Sequence, residues 1–241
     1  MPRFFVPQPL SVGASVILPE AVAHHLHVVR SAPGDALTLF NGEGGEYAAT
    51  LTTLERRRAQ AEVQDFSPRE AELPYALTLA QALPEGSKMD WIIEKAVELG
   101  AATIQPLAAR RSVVRLSTER AEKKLSHWQG IVVAASEQCG RNRLARVAEP
   151  AAFADWIVEG EPHIRILLSP RAGQSLAEWA LGHPPQPLSL LIGPEGGFTA
   201  EEEHMALAQG VLALSMGTRV LRTETAGMVA IAALNAIWGQ F

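Results

Sequence analysis

The sequence lacks the residues that several common kinds of site require. Cys139 is the single cysteine in 241 residues, which excludes an internal disulfide and a cysteine-based zinc site. No apolar run approaches the roughly 20 residues that span a bilayer. The start, Met1 to Pro7, is too short and too interrupted by proline for a signal peptide. We therefore expect a cytoplasmic protein in a reducing setting, with no membrane partner.

Familiar nucleotide and metal signatures are also missing. No Gly-x-x-x-x-Gly-Lys-Ser/Thr occurs, and no Gly-x-Gly-x-x-Gly follows a strand, so a P-loop and a standard dinucleotide site are disfavoured. His24, His25 and His27 have no carboxylate or cysteine spaced to complete a metal site. Structural or RNA-contacting histidines are favoured, and no metal is predicted. Nothing marks a base beside Cys139 that would make it a nucleophile.

Positive charge is scarce overall but concentrated in one segment. The formal net charge of −5 argues against general polyanion binding, yet residues 105–146 hold nine Arg and Lys against three Glu. Such a basic segment on an acidic chain is typical of a phosphate-contacting surface. A solvated helix face followed by a basic loop is the alternative.

The first part of the chain alternates short apolar runs with turn residues. Strands are predicted at 16–18, 36–40, 46–51 and 59–63, with one short helix at 20–29. This pattern indicates a small β-rich module, a barrel. A charged stretch bracketed by prolines, 67–74, then marks the boundary. We place a first domain at 1–70, a linker at 71–75 and a second domain at 76–241.

After this boundary, strands and helices alternate, which predicts an α/β domain with a mostly parallel sheet. Its strands are predicted at 77–82, 103–107, 164–168, 188–192 and 211–214. The clearest helix is 88–99, because its apolar residues recur at i, i+3, i+4, i+7 and i+8. Gly100 follows where a C-terminal cap needs positive φ.

Two glycine-bearing turns follow apolar strands and open helices. The first runs from Leu190 to Thr199, and Thr199 with Glu202 forms a predicted capping box. The second runs from Leu212 to Ala226, with Thr223 as a predicted N-cap. Ligands of α/β proteins commonly bind at the carboxyl ends of strands, so the paired turns predict a binding site. Ordinary strand–turn–helix connections are the alternative.

The final helix, predicted at 224–238, has almost no polar face. A helix that is apolar all round is buried on all sides. At the end of a chain, this predicts a subunit interface, and a homodimer is the simplest form.

Both turns closely resemble the signature of the RsmE family, whose members are S-adenosylmethionine-dependent methyltransferases of the SPOUT (α/β-knot) superfamily. The resemblance rests on residues 191–198 and 216–226. It extends to 24–30, 34–35 and 41–44, which look like a PUA-like RNA-binding barrel, and to 88–100, 111–114 and 135–142. Val29 and Met216 are conservative departures. The resemblance implies a trefoil-knotted parallel sheet with flanking helices, preceded by a small PUA-like β-barrel.

The resemblance also implies a function and a set of site residues. The reaction would be methylation of N3 of a uridine in small-subunit, 16S-type ribosomal RNA, by a homodimer joined through its C-terminal helix. The cofactor contacts carried over are Leu168, Ser169, Ile192, Gly193, Glu195, Gly196, Met216, Gly217, Leu221, Arg222 and Thr225. The residues expected to contact RNA are His25, Arg30, Arg110, Arg111, Arg115 and Arg141.

The N3 proton must leave during such a transfer, and this directs attention to three side chains. Glu195 is the first candidate for the base, although it could equally serve only to shape its own turn. Arg222 or Arg141 would stabilise the uracil anion, with Arg141 coming from the partner subunit if the site is shared. The competing hypotheses are a SPOUT methyltransferase for another RNA position, such as a ribose 2′-hydroxyl, and a non-catalytic RNA-binding assembly factor.

Overall fold

A computed structural model of the chain describes residues 2–112, 118–160 and 162–240. The chain divides into two compact units. Unit 1 comprises residues 1–72 and 136–144, and unit 2 comprises 73–135 and 145–241. Within the described residues, no helix is both long enough and apolar enough to cross a membrane.

Unit 1 is built on a five-stranded sheet in the order β1-β3-β4-β5-β2. Its elements are β1 (Arg3–Phe5), β2 (Ser15–Leu18), α1 (Glu20–Val28), β3 (Ala36–Phe40), β4 (Glu46–Leu54) and β5 (Ala59–Ser67). β1 pairs with β3 in parallel, and the other neighbours are antiparallel. Alternate residues such as Leu37, Leu39 and Leu51 enter one apolar core together with Leu26 of α1, as a sheet with one solvated face requires.

Residues 136–144 belong to unit 1, to which polar contacts join them. The predicted boundaries had placed these residues in the second domain. The backbone N–H of Phe5 donates to Glu137 Oε1 at 2.9 Å, and Asn142 Nδ2 donates to the carbonyl of Arg69 at 2.5 Å. The guanidinium of Arg141 donates to the carboxylate of Glu72 at 2.5–3.1 Å. These bonds connect positions about 70 or more residues apart in the chain, so no local pattern records them.

Unit 2 contains a seven-stranded sheet in which every pairing is parallel. Six strands follow the order β12-β10-β11-β6-β7-β8, and β9 pairs with β7. The strands are β6 (Leu77–Ala82), β7 (Thr103–Ala108), β8 (Arg146–Val147), β9 (Ala151–Ala152), β10 (Ile164–Leu168), β11 (Leu188–Ile192) and β12 (Leu212–Leu214). The helices are α2 (Lys88–Glu98), α3 (Thr118–Cys139), α4 (Phe153–Glu159), α5 (Leu176–Leu181), α6 (Ala200–Ala208) and α7 (Thr223–Ile237). Residues 136–139, at the end of α3, belong to unit 1.

The predicted parallel α/β architecture is confirmed, and its residues show why it forms. β6 and β11 are buried along their whole length, as strands covered on both faces of a parallel sheet must be. The apolar stripe of α2 is buried, and Gly100 takes a φ of +94° after the helix ends. Residues 73–75, which were predicted to be linker, belong to unit 2, where the buried Tyr75 hydroxyl donates to Asn235 Oδ1 at 2.8 Å.

The final helix α7 is only partly buried within one chain. Its composition had predicted burial on all sides, with a partner subunit covering part of its surface. Met228, Ile231 and Leu234 are buried, whereas Val229 is 40% exposed and Ala236 is exposed. A face of small apolar residues is therefore left uncovered.

Candidate active site

Three neighbouring strands of unit 2, β12, β10 and β11, end at one edge of the sheet, and the segments that follow them line a cavity of about 500 Å³. The lining consists of residues 168–171, 192–198, 216–217 and 219–224, together with Lys88, Arg111, Glu203 and Ala226. The cavity thus lies where parallel sheets usually bind their ligands, outside the carboxyl ends of the strands.

The first turn is shaped by glycine and closed by a capped helix. Gly197 has a φ of +65°, and its N–H donates to the carbonyl of Pro194 at 2.8 Å. The predicted capping box is confirmed, because Thr199 and Glu202 each bond the backbone N–H of the other. Glu202 is buried and also accepts the backbone N–H of Arg110 at 2.8 Å. The turn is therefore fixed from both ends.

The second turn is tied to the first by a side chain whose role was predicted incorrectly. Thr223 is the first residue of α7 and not its N-cap, which is Arg222 and makes no side-chain cap bond. The Thr223 hydroxyl donates to the carbonyl of Gly193 at 2.6 Å and accepts from Gln81 Nε2 at 2.9 Å. Thr223 thereby links the first turn, the second turn and β6. Gln81 was missed by the sequence analysis, although a fully buried amide within an apolar strand is a signal of such a role.

Glu195 is held at the tip of the first turn by several donors. Lys88 Nζ donates to Glu195 Oε1 at 2.6 Å, and the backbone N–H of Glu85 donates to the same oxygen at 3.1 Å. Burial by itself would raise the pKa of Glu195, but hydrogen bonds from Lys88 and from backbone N–H groups outweigh it and lower the pKa. The Glu195 carboxylate is therefore kept ionised, and its Oε1 atom already accepts two hydrogen bonds. Lys88 was not among the predicted site residues.

Positive charge predominates on the cavity wall. Its described cationic side chains are Lys88, Arg111, Arg171, Arg219 and Arg222, against Glu195, Glu203 and Glu224. Arg111 Nη1 donates to the carbonyl of Gly196 at 2.6 Å, whereas Arg222 is exposed. Val220, between Arg219 and Leu221, is 80% exposed. Such a wall suits an electron-rich or anionic ligand. No group of His, Cys, Asp and Glu suited to hold a metal ion occurs in the described part of the chain.

Both units match known families. Residues 71–235 match the family described as the RNA methyltransferase domain, and residues 18–64 match the RNA methyltransferase PUA domain. A ribosomal RNA small subunit methyltransferase E from Synechocystis is 37% identical over 94% of this chain and 74% of its own length. The protein of that name from Bacillus subtilis is 33% identical over 90% of this chain and 87% of its own. The chain belongs to the ribosomal RNA small subunit methyltransferase E family.

Solved structures of this family have the same fold. A ribosomal RNA small subunit methyltransferase E from Neisseria gonorrhoeae, bound to S-adenosyl methionine, has a TM-score of 0.92 and 38% identity, covering 99% of this chain and 98% of its own. A methyltransferase from Legionella pneumophila, in complex with the bound cofactor SAM, has a TM-score of 0.92 and 33% identity over 98% and 97% of the two chains. The predicted SPOUT fold class with a PUA domain is confirmed.

Ten of the eleven cofactor contacts expected for a ribosomal RNA small subunit methyltransferase E line the one cavity described above. They are Leu168, Ser169, Ile192, Gly193, Glu195, Gly196, Met216, Gly217, Leu221 and Arg222. Thr225 lies in the first turn of α7 and does not line the cavity. The structure thus brings together residues from three separate strand ends, and their contact with a cofactor stays a prediction.

The residues expected to contact RNA lie in different environments. His25 and Arg30 are exposed in unit 1, Arg110 is exposed in unit 2, and Arg111 forms part of the cavity wall. Arg115 lies outside the described residues.

Arg141 does not have the exposure that its predicted role requires. It is only 3% exposed, and its guanidinium is paired with Glu72 inside unit 1. The charge of Arg141 is paired within unit 1, so this structure does not present it to a ligand or to RNA.

Proposed function

We propose that this protein transfers a methyl group from S-adenosylmethionine to N3 of a uridine in small-subunit ribosomal RNA. The observation that carries the proposal is the convergence of both signature turns on a single cavity. The proposal is also supported by a relative whose structure was solved with S-adenosyl methionine bound, because the similarity to that relative covers 99% of this chain.

The cavity fits the cofactor in size and in the backbone groups that it exposes. Its volume of about 500 Å³ lies within the range of about 300–1,000 Å³ that small-molecule sites occupy. Gly193, Gly196 and Gly217 leave backbone groups accessible to an adenine or a methionine moiety. When bound, S-adenosylmethionine would supply an electrophilic methyl group.

The protein's own groups orient the substrate and stabilise charge. The exposed guanidinium of Arg222 at the cavity can donate to a uracil carbonyl oxygen that becomes more negative as N3 loses its proton. Holding methyl donor and acceptor in near-attack geometry accounts for several kcal/mol of such a barrier. The target uridine must leave its stack to reach the cavity, at a cost of a few kcal/mol.

The decisive experiment is nucleoside mass spectrometry of small-subunit RNA from cells with and without the gene. We expect N3-methyluridine to disappear on deletion and to return on complementation. Persistence of N3-methyluridine would contradict the proposal. Loss of a 2′-O-methylated nucleoside instead would favour the ribose-modifying alternative, and no change in any methylated nucleoside would favour the assembly factor.

The glycines of the first turn allow a matched test of cofactor binding. A Cβ at Gly193 would lie 3.0–3.2 Å from backbone atoms of Gly197 and Phe198, which cannot move without opening the turn. Gly193→Ala should therefore weaken binding of S-adenosylmethionine by about 1–3 kcal/mol, or roughly 5- to 150-fold, measured by calorimetry.

Two other alanine substitutions control for the added methyl group. A Cβ at Gly196 meets only the flexible side chain of Arg111, at 3.2 Å, so Gly196→Ala should lose less affinity. Gly173→Ala has no atom within 4 Å of its Cβ and should leave affinity unchanged. Equal affinity for Gly193→Ala and Gly173→Ala would show that the first turn does not hold the cofactor.

We propose that the exposed side chains of Arg30 and Arg110 contact the RNA, together with Arg111 and His25. Arg115 lies outside the described residues and stays a contact expected from the sequence alone. Arg30→Ala and Arg110→Ala should each reduce the slope of log affinity against log salt by about 1. Lys95→Ala is the control, because Lys95 is already paired with Glu94 and Glu98 at 2.7 Å. If the slope for Arg110→Ala equals that for Lys95→Ala, the basic segment 105–146 is a solvated surface at this position and does not contact the RNA there.

We also propose that the protein is a cytoplasmic homodimer joined through α7. The uncovered face around Val229 and Ala236 supports this assignment, since an apolar helix face is stabilised by a partner. Light scattering should give twice the mass of 25.9 kDa, and Val229→Glu should shift the protein toward the monomer. A monomeric parent protein would contradict the assignment.

A further inference from the structure

Glu224 differs from the other acidic residues of the described cavity wall in having a buried carboxylate oxygen without a hydrogen-bond partner. It lines the cavity from the first turn of α7, and its Oε2 atom is buried without a hydrogen-bond partner among the described residues. A buried carboxylate oxygen without a donor is costly, so in native proteins such an oxygen usually accepts a hydrogen bond from an ordered water or a ligand. The position of Glu224 on the wall indicates that the partner is a ligand of the cavity.

The other two acidic residues of the wall already have partners. Glu195 Oε1 accepts from Lys88 and from the backbone of Glu85, and Glu203 Oε1 accepts from Arg171 Nη2 at 2.6 Å. The negative charges of Glu224 and Glu85 also help to raise the pKa of Lys88, but Glu195 is the carboxylate for which a direct bond to Lys88 is observed. Glu195 is suited to shaping its turn, and the lowering of its pKa makes it a weaker proton acceptor.

The proposed function supplies a ligand that fits a free carboxylate. The Watson–Crick edge of uracil presents a carbonyl oxygen, the N3–H donor and a second carbonyl oxygen. A carboxylate that accepts from N3–H, with arginines donating to the flanking oxygens, satisfies all three groups. Cytosine has no proton on N3, so the same carboxylate would face a lone pair and be repelled. The arrangement therefore selects uracil as well as activating it.

We propose that Glu224, rather than Glu195, accepts the N3 proton of the target uridine. This inference rests on the proposed function. As the proton moves to the Glu224 carboxylate, the N–H electron pair stays on N3 and forms the new bond to the methyl carbon. The pair of the carbon–sulfur bond leaves with sulfur as a neutral thioether, and the proton on Glu224 then passes to solvent.

Glu224→Gln provides the test, because an amide can accept the N3–H hydrogen bond but cannot take the proton. We expect kcat to fall about 10²- to 10⁴-fold at neutral pH, as for loss of a positioned base. The affinity for S-adenosylmethionine, measured by calorimetry, should change by less than about threefold. Glu201→Gln, an exposed acidic position of α6 away from the cavity wall, should keep wild-type turnover.

A rescue experiment separates proton transfer from positioning. Small-subunit RNA transcribed with 5-fluorouridine carries a more acidic N3–H and needs less help from a base. It should restore much of the lost turnover of Glu224→Gln and none of any turnover lost by Glu195→Gln. The rate of Glu224→Gln should also rise about tenfold per pH unit, because only ionised uracil reacts.

Three results would overturn the inference. The first is near-normal turnover of Glu224→Gln, and the second is a loss of turnover that 5-fluorouridine does not rescue. The third is loss of affinity for S-adenosylmethionine with unchanged affinity for S-adenosylhomocysteine, which would place the carboxylate beside the sulfonium. In each case the wild-type enzyme still forms N3-methyluridine, so the proposed function stands. If the wild-type protein forms none, the function and the inference fail together.

Discussion

Replacing Arg141 by alanine should lower the free energy of unfolding by about 3–5 kcal/mol, the usual cost of removing one partner of a buried ion pair. The Arg141 side chain is 4% exposed and that of Glu72 is 18% exposed. Arg141 Nε and Nη2 together donate three bonds of 2.5–3.1 Å to the two carboxylate oxygens. Alanine would leave Glu72 charged, partly buried and without this partner.

The measurement must report on unit 1. All five tryptophans lie in unit 2, so tryptophan fluorescence would not follow the relevant transition. Urea denaturation followed by far-ultraviolet circular dichroism, together with calorimetry, would detect it. Arg143→Ala is the matched control, since its pair with Glu70 spans 3.3 Å with side chains 54% and 36% exposed. Its loss should cost less than about 1 kcal/mol.

A double variant distinguishes a structural arginine from an RNA-contacting one. Arg141→Met combined with Glu72→Leu replaces the ion pair with apolar groups and should recover most of the lost stability. If Arg141→Ala instead keeps full stability and weakens RNA binding, Arg141 contacts RNA as its sequence context had suggested.

Local patterns predicted the elements well because the forces that form them are local. The apolar stripe of α2 and the buried runs of β6 and β11 repeat with the period of a helix or a covered strand. Both turns were identifiable because glycines follow an apolar strand and precede a helix, and the first turn also has a capping threonine, Thr199.

Long-range polar pairing was not predictable in the same way. Nothing in the sequence around Arg141 says that its partner is Glu72, 69 residues earlier, or that residues 136–144 belong to unit 1. A basic residue in a basic segment looks like a surface residue until its partner is known. The short parallel strand β1 was missed for the same reason, because three residues have no period and its pairing with β3 is non-local.

The final helix shows a third reason why the sequence did not predict the whole structure. Its composition indicates that it is apolar, but not which face the rest of the chain covers. The structure buries the side that includes Met228 and Leu234 and leaves Val229 exposed. Composition alone therefore does not show which face of α7 remains uncovered in one chain.

Thr223→Val should reduce stability by about 2–4 kcal/mol, because it removes the hydroxyl that joins the two turns. Valine has nearly the same shape, so the packing of the buried Thr223 site would change little. The carbonyl of Gly193 would lose its 2.6 Å hydrogen bond, and Gln81 Nε2 would keep only its bond to the carbonyl of Ala82. Since Gly193 belongs to the proposed cofactor wall, affinity for S-adenosylmethionine should fall along with the melting temperature.

Two further variants make this test specific to the hydroxyl group. Thr223→Ser keeps the donor and should restore the cofactor affinity, losing only the contacts of one methyl group. Thr218→Val changes an exposed threonine in the same loop and should alter stability by no more than about 0.5 kcal/mol. If Thr223→Val and Thr223→Ser bind the cofactor equally well, the hydroxyl bridge does not align the turns, and the cavity must be held in shape by the packing of α7 against β11 alone.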